Sequence, residues 1–416
     1  MSGLLAIMGS GETAPTMVSI HRTLAARLPT GASAVLLETP YGFQENVADI
    51  SSRACQYFDR SVGLSVTTAP GLRGADPDDA EHGLAMLRTA DWLFSGPGSP
   101  TYAMRSWSAT PVGHALHDRI RQRHGITVFA SAAAATLGRW VVPVYEIYKV
   151  GAPPHWLDGL NLLYHLDLHA AVIPHYDNTE GGTHDTRFCY LGERRLHLME
   201  QQLPDDACLL GIDEHTAALI DPATDTVQVV GRGTMTVRRH GASTVLPAGL
   251  TLTLTELRGL AHGHSVTMVI PTRTTPVSAA DTAPATVTEV AADCEQRFNA
   301  AHARRDAPAM TQAVLDLEAT IHDWSTDTEQ DDGAEQARAV LRTLILRLGH
   351  AATTGVADPA SQLQPLVQPL LELRDRLRAN HDYPTADAVR DALTAAGIDL
   401  RDGPNGVRWS TRLDHR

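Results

Sequence analysis

Six short apolar runs, Leu4–Met8, Ala34–Glu38, Trp92–Phe94, Ile126–Phe129, Ala171–Ile173 and Leu209–Ile212, are separated by stretches with helical spacing. This alternation constrains the fold more than any other feature. Strands joined through helices pair in parallel, and the helices must cover both faces of the sheet they connect. The expected fold is therefore α/β, with a mainly parallel, doubly wound sheet. After Ala217 the pattern changes. Ala217–Ile220, Thr226–Val230, Thr234–Val237 and Leu250–Leu257 are rich in Val, Thr and Leu, with Gly and Asp-Pro turns between them. These read as antiparallel strands that close the domain.

The chain has 416 residues, of which 43% are hydrophobic. That exceeds one ordinary domain of about 100–200 residues and is enough for two cores. The expected division is residues 1–270 as the α/β domain, 271–290 as a linker rich in Pro, Thr and Ala, and 291–416 as a helical domain. Within the helical part, the acidic stretch from Asp323 to Glu335 reads as an exposed loop. Leu366, Leu370, Leu373 and Leu377 recur at spacings of four and three, which places an apolar stripe on a helix. Tyr383-Pro384 opens a further helix carrying Ala386, Val389 and Leu393, and Gly397 is placed to end it. Ile398–Arg401 and Val407–Trp409 flank a turn and form a hairpin.

Composition excludes several functions. A formal charge of -14 argues against a broad footprint for nucleic acid or anionic lipid. No run approaches the roughly 18 apolar residues of a membrane span. The N-terminus lacks the basic start of a signal peptide, so a cytoplasmic location is expected. Cys55, Cys189, Cys208 and Cys294 lie far apart, without metal or disulfide spacing. Twenty histidines include His155, His165, His169, His175 and His184, but no His-Glu-x-x-His pair, so no metal site is expected. The loops at residues 9–13 and 38–43 follow the first two strands. Neither carries the Lys-Ser/Thr of a P-loop nor a full Gly-x-Gly-x-x-Gly, so they are expected to wall a site without binding a cofactor.

Val128-Phe129-Ala130-Ser131-Ala132-Ala133-Ala134 rises into one hydroxyl among small side chains and continues as a helix-forming run. A nucleophilic serine on an α/β sheet is presented on such a strand-to-helix turn, usually as Gly-x-Ser-x-Gly. Here Phe129 and Ala133 occupy the glycine positions. A helix-capping serine at a strand end is the alternative. His175 follows, where the apolar strand 171–173 ends at Pro174. Glu214 lies in an acidic pair between two apolar strands. Both stand where catalytic groups collect on such sheets.

The segments 94–102, 130–134, 174–176, 185–187 and 211–217 resemble the aspartyl dipeptidases (peptidase E) and cyanophycinases, serine hydrolases on a fold like that of class I glutamine amidotransferases. The resemblance covers about residues 1–270. It implies Ser131 as nucleophile, His175 as general base and Glu214 as the carboxylate that orients the imidazole. The amides of Gly98 and Ala132 would receive the oxyanion, since Pro97 has no N–H. Arg187 and Tyr102 would contact substrate, with Arg187 forking onto an acidic group; Arg194 and Arg195 are alternatives. The sequence departs from the family in the alanines around Ser131, the Gly-Pro-Gly-Ser loop and Tyr176-Asp177 after the histidine.

The stretch 383–391 with Gly397-Ile398 and Gly406-Val407-Arg408-Trp409 resembles the C-terminal tail of cysteinyl-tRNA synthetases, and the helices from about Phe298 do so more loosely. The synthetase signatures His-x-Gly-His and Lys-Met-Ser-Lys-Ser are absent. From residue 281 onward there are 14 Arg against 22 Asp and Glu. An RNA contact would need a concentrated face such as Arg374, Arg376, Arg378, Arg390 and Arg408. The leading expectation is a serine hydrolase cutting a small peptide or amide next to an acidic residue. The alternatives are a tRNA- or protein-binding protein on a hydrolase-like scaffold, or an enzyme acting on an aminoacyl or peptidyl group that the tail delivers. A homodimer is compatible with each.

Overall fold

A computed structural model of the chain describes residues 3–72, 77–181, 183–264, 285–327, 333–354, 359–403 and 406–411. Residues 271–284 of the expected linker lie outside this set. In chain order the strands are β1 (Leu4–Met8), β2 (Ala34–Leu37), β3 (Thr67–Thr68), β4 (Trp92–Ser95), β5 (Ile126–Ala130), β6 (Trp140–Val141), β7 (Leu157–Asp158) and β8 (Ala170–Ile173). They continue with β9 (Cys208–Ile212), β10 (Thr216–Asp221), β11 (Thr226–Gly231), β12 (Thr234–Arg239), β13 (Ala242–Pro247), β14 (Thr251–Thr253), β15 (Ile398–Gly403) and β16 (Gly406–Thr411).

The α/β part contains two sheets. The larger has the order β14-β11-β10-β1-β5-β4-β2-β3 and the second the order β13-β12-β9-β8-β6-β7. From β1 to β3 the larger sheet is parallel. Every residue of β1, β2, β4 and β5 is buried, as required of strands covered on both faces. β10, β11 and β14 extend it antiparallel. Met8 of β1 lies opposite Ala130 of β5 on one side and Ala217 of β10 on the other. That register brings three chain turns to one sheet end.

One expected strand is mostly helix. Of 250–257, β14 takes only Thr251–Thr253, and Leu254–Ala261 is helical. Thr253 accepts from the Glu256 N–H while the Glu256 carboxylate accepts from the Thr253 N–H, a reciprocal cap that outweighs the local β preference of Thr and Leu.

The chain divides into two units, residues 1–286 with 322–332, and residues 287–321 with 333–416. Trp324, expected in an exposed loop, is buried in the first unit with its ring edge-on to His215 at 5.8 Å. Thr13 Oγ1 donates to Asp327 Oδ1 at 2.8 Å, and Arg53 Nη1 donates to the Asp327 carbonyl at 3.0 Å.

The second unit contains helices Val287–Ala303, Gly333–Thr354, Pro359–Ala379 and Tyr383–Ala395, with β15 and β16 as the expected hairpin. Asp382 caps the helix at Tyr383 by accepting from the Thr385 N–H. Helix Pro359–Ala379 buries Val367 and Leu371 against Leu393, Ile398 and Leu400, so the face read as apolar from Leu366, Leu370 and Leu373 is its exposed one. Leu366 is 68% exposed. Arg374 is buried on the inner face and donates through both Nη atoms to Asp402, at 2.9 and 3.0 Å.

Candidate active site

Ser131 begins the five-residue helix Ser131–Ala135 directly after β5, with φ 47°. A non-glycine residue in the left-handed region is strained, and it aims the hydroxyl out of the sharp turn. Phe129 does not crowd this turn, because its ring stacks on Trp107 in the core at 5.8 Å. The small residues needed around the elbow are Ala132, Ala133 and Ala134, all buried.

His175 leaves the end of β8, also with positive φ, at 48°. Its Nε2 lies 2.9 Å from Ser131 Oγ, and its Nδ1 lies 3.0 Å from Glu214 Oε1. A carboxylate only accepts, so Nδ1 carries the hydrogen and Nε2 is left to accept from Ser131. Glu214 sits between β9 of one sheet and β10 of the other. Asn178 Nδ2 donates to its Oε1 at 3.0 Å, and its backbone N–H donates to Asp177 Oδ1 at 2.8 Å. Burial pushes the Glu214 carboxyl up, but donation from His175 and Asn178 outweighs it and the net shift is downward. Burial likewise lowers His175, but the carboxylates of Glu214, Glu12 and Glu180 bring it above its ordinary value. Burial raises Asp177 to about 6.

Ser131 and His175 open on a cavity of about 340 Å³. Gly98 and Ala132 line it beside them. Gly98 has φ 132°, and a Cβ there would lie 2.2 Å from the Pro40 carbonyl oxygen, so this turn requires glycine. Ala132, in the first turn of its helix, has an N–H without an intrahelical acceptor. The lining also includes Tyr145, Tyr148, Lys149, Glu180 and Tyr190. Lys149, the sole lysine, holds Nζ 4.9 Å from the Tyr148 ring centre, and Glu180 accepts from the Tyr190 hydroxyl at 2.6 Å.

The structure thus brings Ser131, His175, Glu214, Gly98 and Ala132 together, but not Arg187 and Tyr102. Arg187 is exposed and forks onto Asp185 at 2.9 Å through both Nε and Nη2. Asp185, only two residues away, holds the guanidinium beside itself, and Arg187 in turn holds the Asp185 carboxyl well below the usual range. Tyr102 packs on Phe43 at 5.4 Å.

Glu12, Lys149, Asn178, Glu180 and Tyr190 were not singled out from the sequence. Two carried a local signal: Asn178 lies three residues after His175, and Glu12 lies in the loop 9–13 expected to wall a site. Among the described residues no group of three or more His, Cys, Asp or Glu side chains could hold a metal ion, and no helix is long and apolar enough to cross a membrane.

No family model matches the chain. It is similar to the cysteine–tRNA ligase of Proteus mirabilis (strain HI4320), with 41% identity over 112 residues, which is 25% of this chain and 24% of the ligase. It is also similar to the cysteine–tRNA ligase of Arthrobacter sp. (strain FB24), with 34% identity over 107 residues, 24% of this chain and 22% of the ligase. The chain therefore spans about a quarter of the length of the curated relatives it matches. Among solved structures it is similar to a peptidase from an acI-B1 actinobacterium, at TM-score 0.48 and 23% identity, covering 61% of this chain and 97% of the other. A candidate peptidase E from Listeria monocytogenes EGD-e is similar at TM-score 0.39 and 15% identity, over 57% of this chain and 99% of that one.

Proposed function

We propose that this protein is a serine hydrolase that cleaves an amide or peptide bond in a small substrate, next to an acidic group. The observation that carries the reading is the unbroken chain from Ser131 Oγ to His175 Nε2 at 2.9 Å and from His175 Nδ1 to Glu214 Oε1 at 3.0 Å, opening on a cavity. Ser131 Oγ attacks the substrate carbonyl carbon while His175 Nε2 takes its proton. The tetrahedral oxyanion is received by the Gly98 and Ala132 N–H groups. His175 then gives the proton to the leaving nitrogen, and the C–N bond breaks to leave an ester on Ser131. Water, deprotonated by His175, releases the acid. Glu214 keeps the imidazole in the useful tautomer and stabilises its charged form throughout.

The substrate's acidic group needs a cation in the cavity. Arg187 is engaged by Asp185, and the cationic side chain along the wall is Lys149, so we assign the contact to Lys149. A fluorophosphonate probe tests the enzyme reading. Ser131 is expected to be labelled in the full chain, and Ser131→Ala and His175→Ala to abolish labelling. An unlabelled native protein would overturn it.

A second reading rests on the likeness of a quarter of the chain to cysteine–tRNA ligases. In it the helical unit binds tRNA or a protein, either as the main function or to deliver an aminoacyl or peptidyl group to Ser131. Phosphate binding would have to use exposed arginines. Arg374 is 1% exposed, and Arg378 and Arg390 lie 3.6 and 3.5 Å from Asp402, so this face is partly neutralised within the unit. Filter binding of bulk tRNA at two salt concentrations tests this, with no salt-dependent retention as the negative outcome.

A further inference from the structure

β1 is paired with β5 on one side and β10 on the other, so the chain leaving Met8 runs between the Ser131 turn and the loop that carries Glu214. The contact on the Glu214 side is close. The His215 N–H donates to the Ser10 carbonyl at 3.2 Å, and a Cβ on Gly11 would lie 2.2 Å from the His215 ring. Glu12 follows, with 0% exposure. On the Ser131 side, a Cβ on Gly96 would lie 2.7 Å from Glu12 Oε1, so this loop passes close to the carboxyl. The Gly96 carbonyl accepts from the Ala133 N–H at 3.2 Å, tying the loop above Glu12 to the nucleophile's helix.

Among the described residues neither Glu12 oxygen has a hydrogen-bond partner of proper geometry; its own backbone N–H approaches and offsets only part of the burial cost. A buried carboxyl without partners destabilises a fold, and an apolar side chain of similar shape would not. Such a group calls for a functional reason. Four titratable groups surround it. Asp327 opposes its charge and His175 favours it. Tyr57 feels both acids, and the His21 ring, facing the Glu12 backbone, is held neutral by burial among Tyr57, Phe58, Trp92 and Phe94.

We propose that Glu12 is a positioning residue for His175, a second carboxylate that stabilises the imidazolium formed when His175 accepts the Ser131 proton. This rests on the serine hydrolase reading. No proton passes between Glu12 and His175; the carboxylate acts through space, from the side of the nucleophile loop, while Glu214 holds Nδ1 and Glu180 contributes more weakly from the cavity. Burial with the opposing charge of Asp327 raises Glu12 to about 7, so its support is present above neutrality and fades as the carboxyl protonates.

The test uses the full chain with ¹³C-labelled histidine. The His175 signal, assigned by its loss in His175→Gln, is titrated in the native protein, Glu12→Gln, Glu12→Ala and Glu12→Asp. Removing the carboxylate is expected to lower the His175 midpoint by roughly half to one pH unit, with Glu12→Asp remaining near the native value. Fluorophosphonate labelling of Glu12→Gln at pH 8 should slow about threefold to tenfold, the same effect expressed as a rate. An unchanged His175 midpoint in Glu12→Gln and Glu12→Ala, with only the melting temperature altered, would overturn the proposal. If the native protein is not labelled but the midpoint moves, the hydrolase reading fails and the electrostatic link stands; if it is labelled and the midpoint does not move, only the role of Glu12 fails.

Discussion

Glu214 and Glu12 are the same residue at neighbouring strand ends of one site, yet their carboxyls move in opposite directions. Glu214 receives hydrogen from His175 and Asn178 and is lowered despite burial, whereas Glu12 has no side-chain donor among the described residues, and burial with the opposing Asp327 raises it to about 7. Burial alone decides neither the charge nor the cost of a carboxyl. Its donors do.

The largest expected contrast is in rate. Glu214→Ala removes the partner that fixes the His175 tautomer and should slow Ser131 labelling by about 10³- to 10⁴-fold, against the much smaller loss expected for Glu12→Ala. Equal losses would erase the distinction between an orienting acid and a remote one.

Stability should run the other way. The native Glu12 carboxyl holds its proton more tightly than in the unfolded chain, so the fold loses stability as pH rises from 4.5 to about 7, by about 3 kcal/mol in all. Glu12→Met is therefore expected to be more stable than the native protein at pH 8, the gap closing toward pH 4.5, as read from urea unfolding. For Glu214 the folded value is lowered, so its contribution is present above about 4.5 and is lost as pH falls through the folded value. Glu214→Met should destabilise at pH 8. A Glu12→Met protein weaker than native at that pH would show that its carboxyl has a partner in solution.

Asn178→Ala offers a finer test. Losing one charge-assisted donor costs about 1–2 kcal/mol, enough to slow labelling about tenfold and let Glu214 titrate higher. No change in either would mean that His175 alone holds Glu214.

The smallest contrast concerns cations. Arg187 is matched by Asp185, while Lys149 lies on the cavity wall. Lys149→Ala should raise KM for acidic substrates several-fold over neutral ones, about 1 kcal/mol for an exposed pair, while Arg187→Ala leaves the ratio unchanged. The reverse pattern would return the contact to Arg187.

Much of this molecule is legible along the chain because it depends on neighbours in sequence. Continuous apolar runs mark strands buried on both faces, and the Ser131 turn needs only its small followers. The helical tail and its hairpin follow from Tyr383-Pro384, Gly397 and the Asp402–Gly406 turn. Ser131, His175 and Glu214 are legible as strand-end residues, although the two sheets that bring them together are not. Two features became specific only with neighbours in view. The Leu366, Leu370 and Leu373 stripe has the expected helical period, yet Val367 and Leu371 are the residues that meet the hairpin. Arg187 looks like a free cation until Asp185 is seen folded beside it.

The sequence by itself determined most of the element types, the strand-end placement of the serine, histidine and acid, and the negative charge that disfavours a broad nucleic-acid footprint. Only the tertiary structure decided that β1 lies between β5 and β10, that Trp324 and Asp327 join the first unit, that Lys149 and Glu180 share a cavity with Ser131, and that Glu12 is buried without a side-chain donor among the described residues. Secondary structure follows from backbone and side-chain preferences within a few residues. Charge is set by which dipoles and ions lie within a few ångströms, and at Glu12 and Glu214 most of the side chains that set it come from residues tens to hundreds of positions apart.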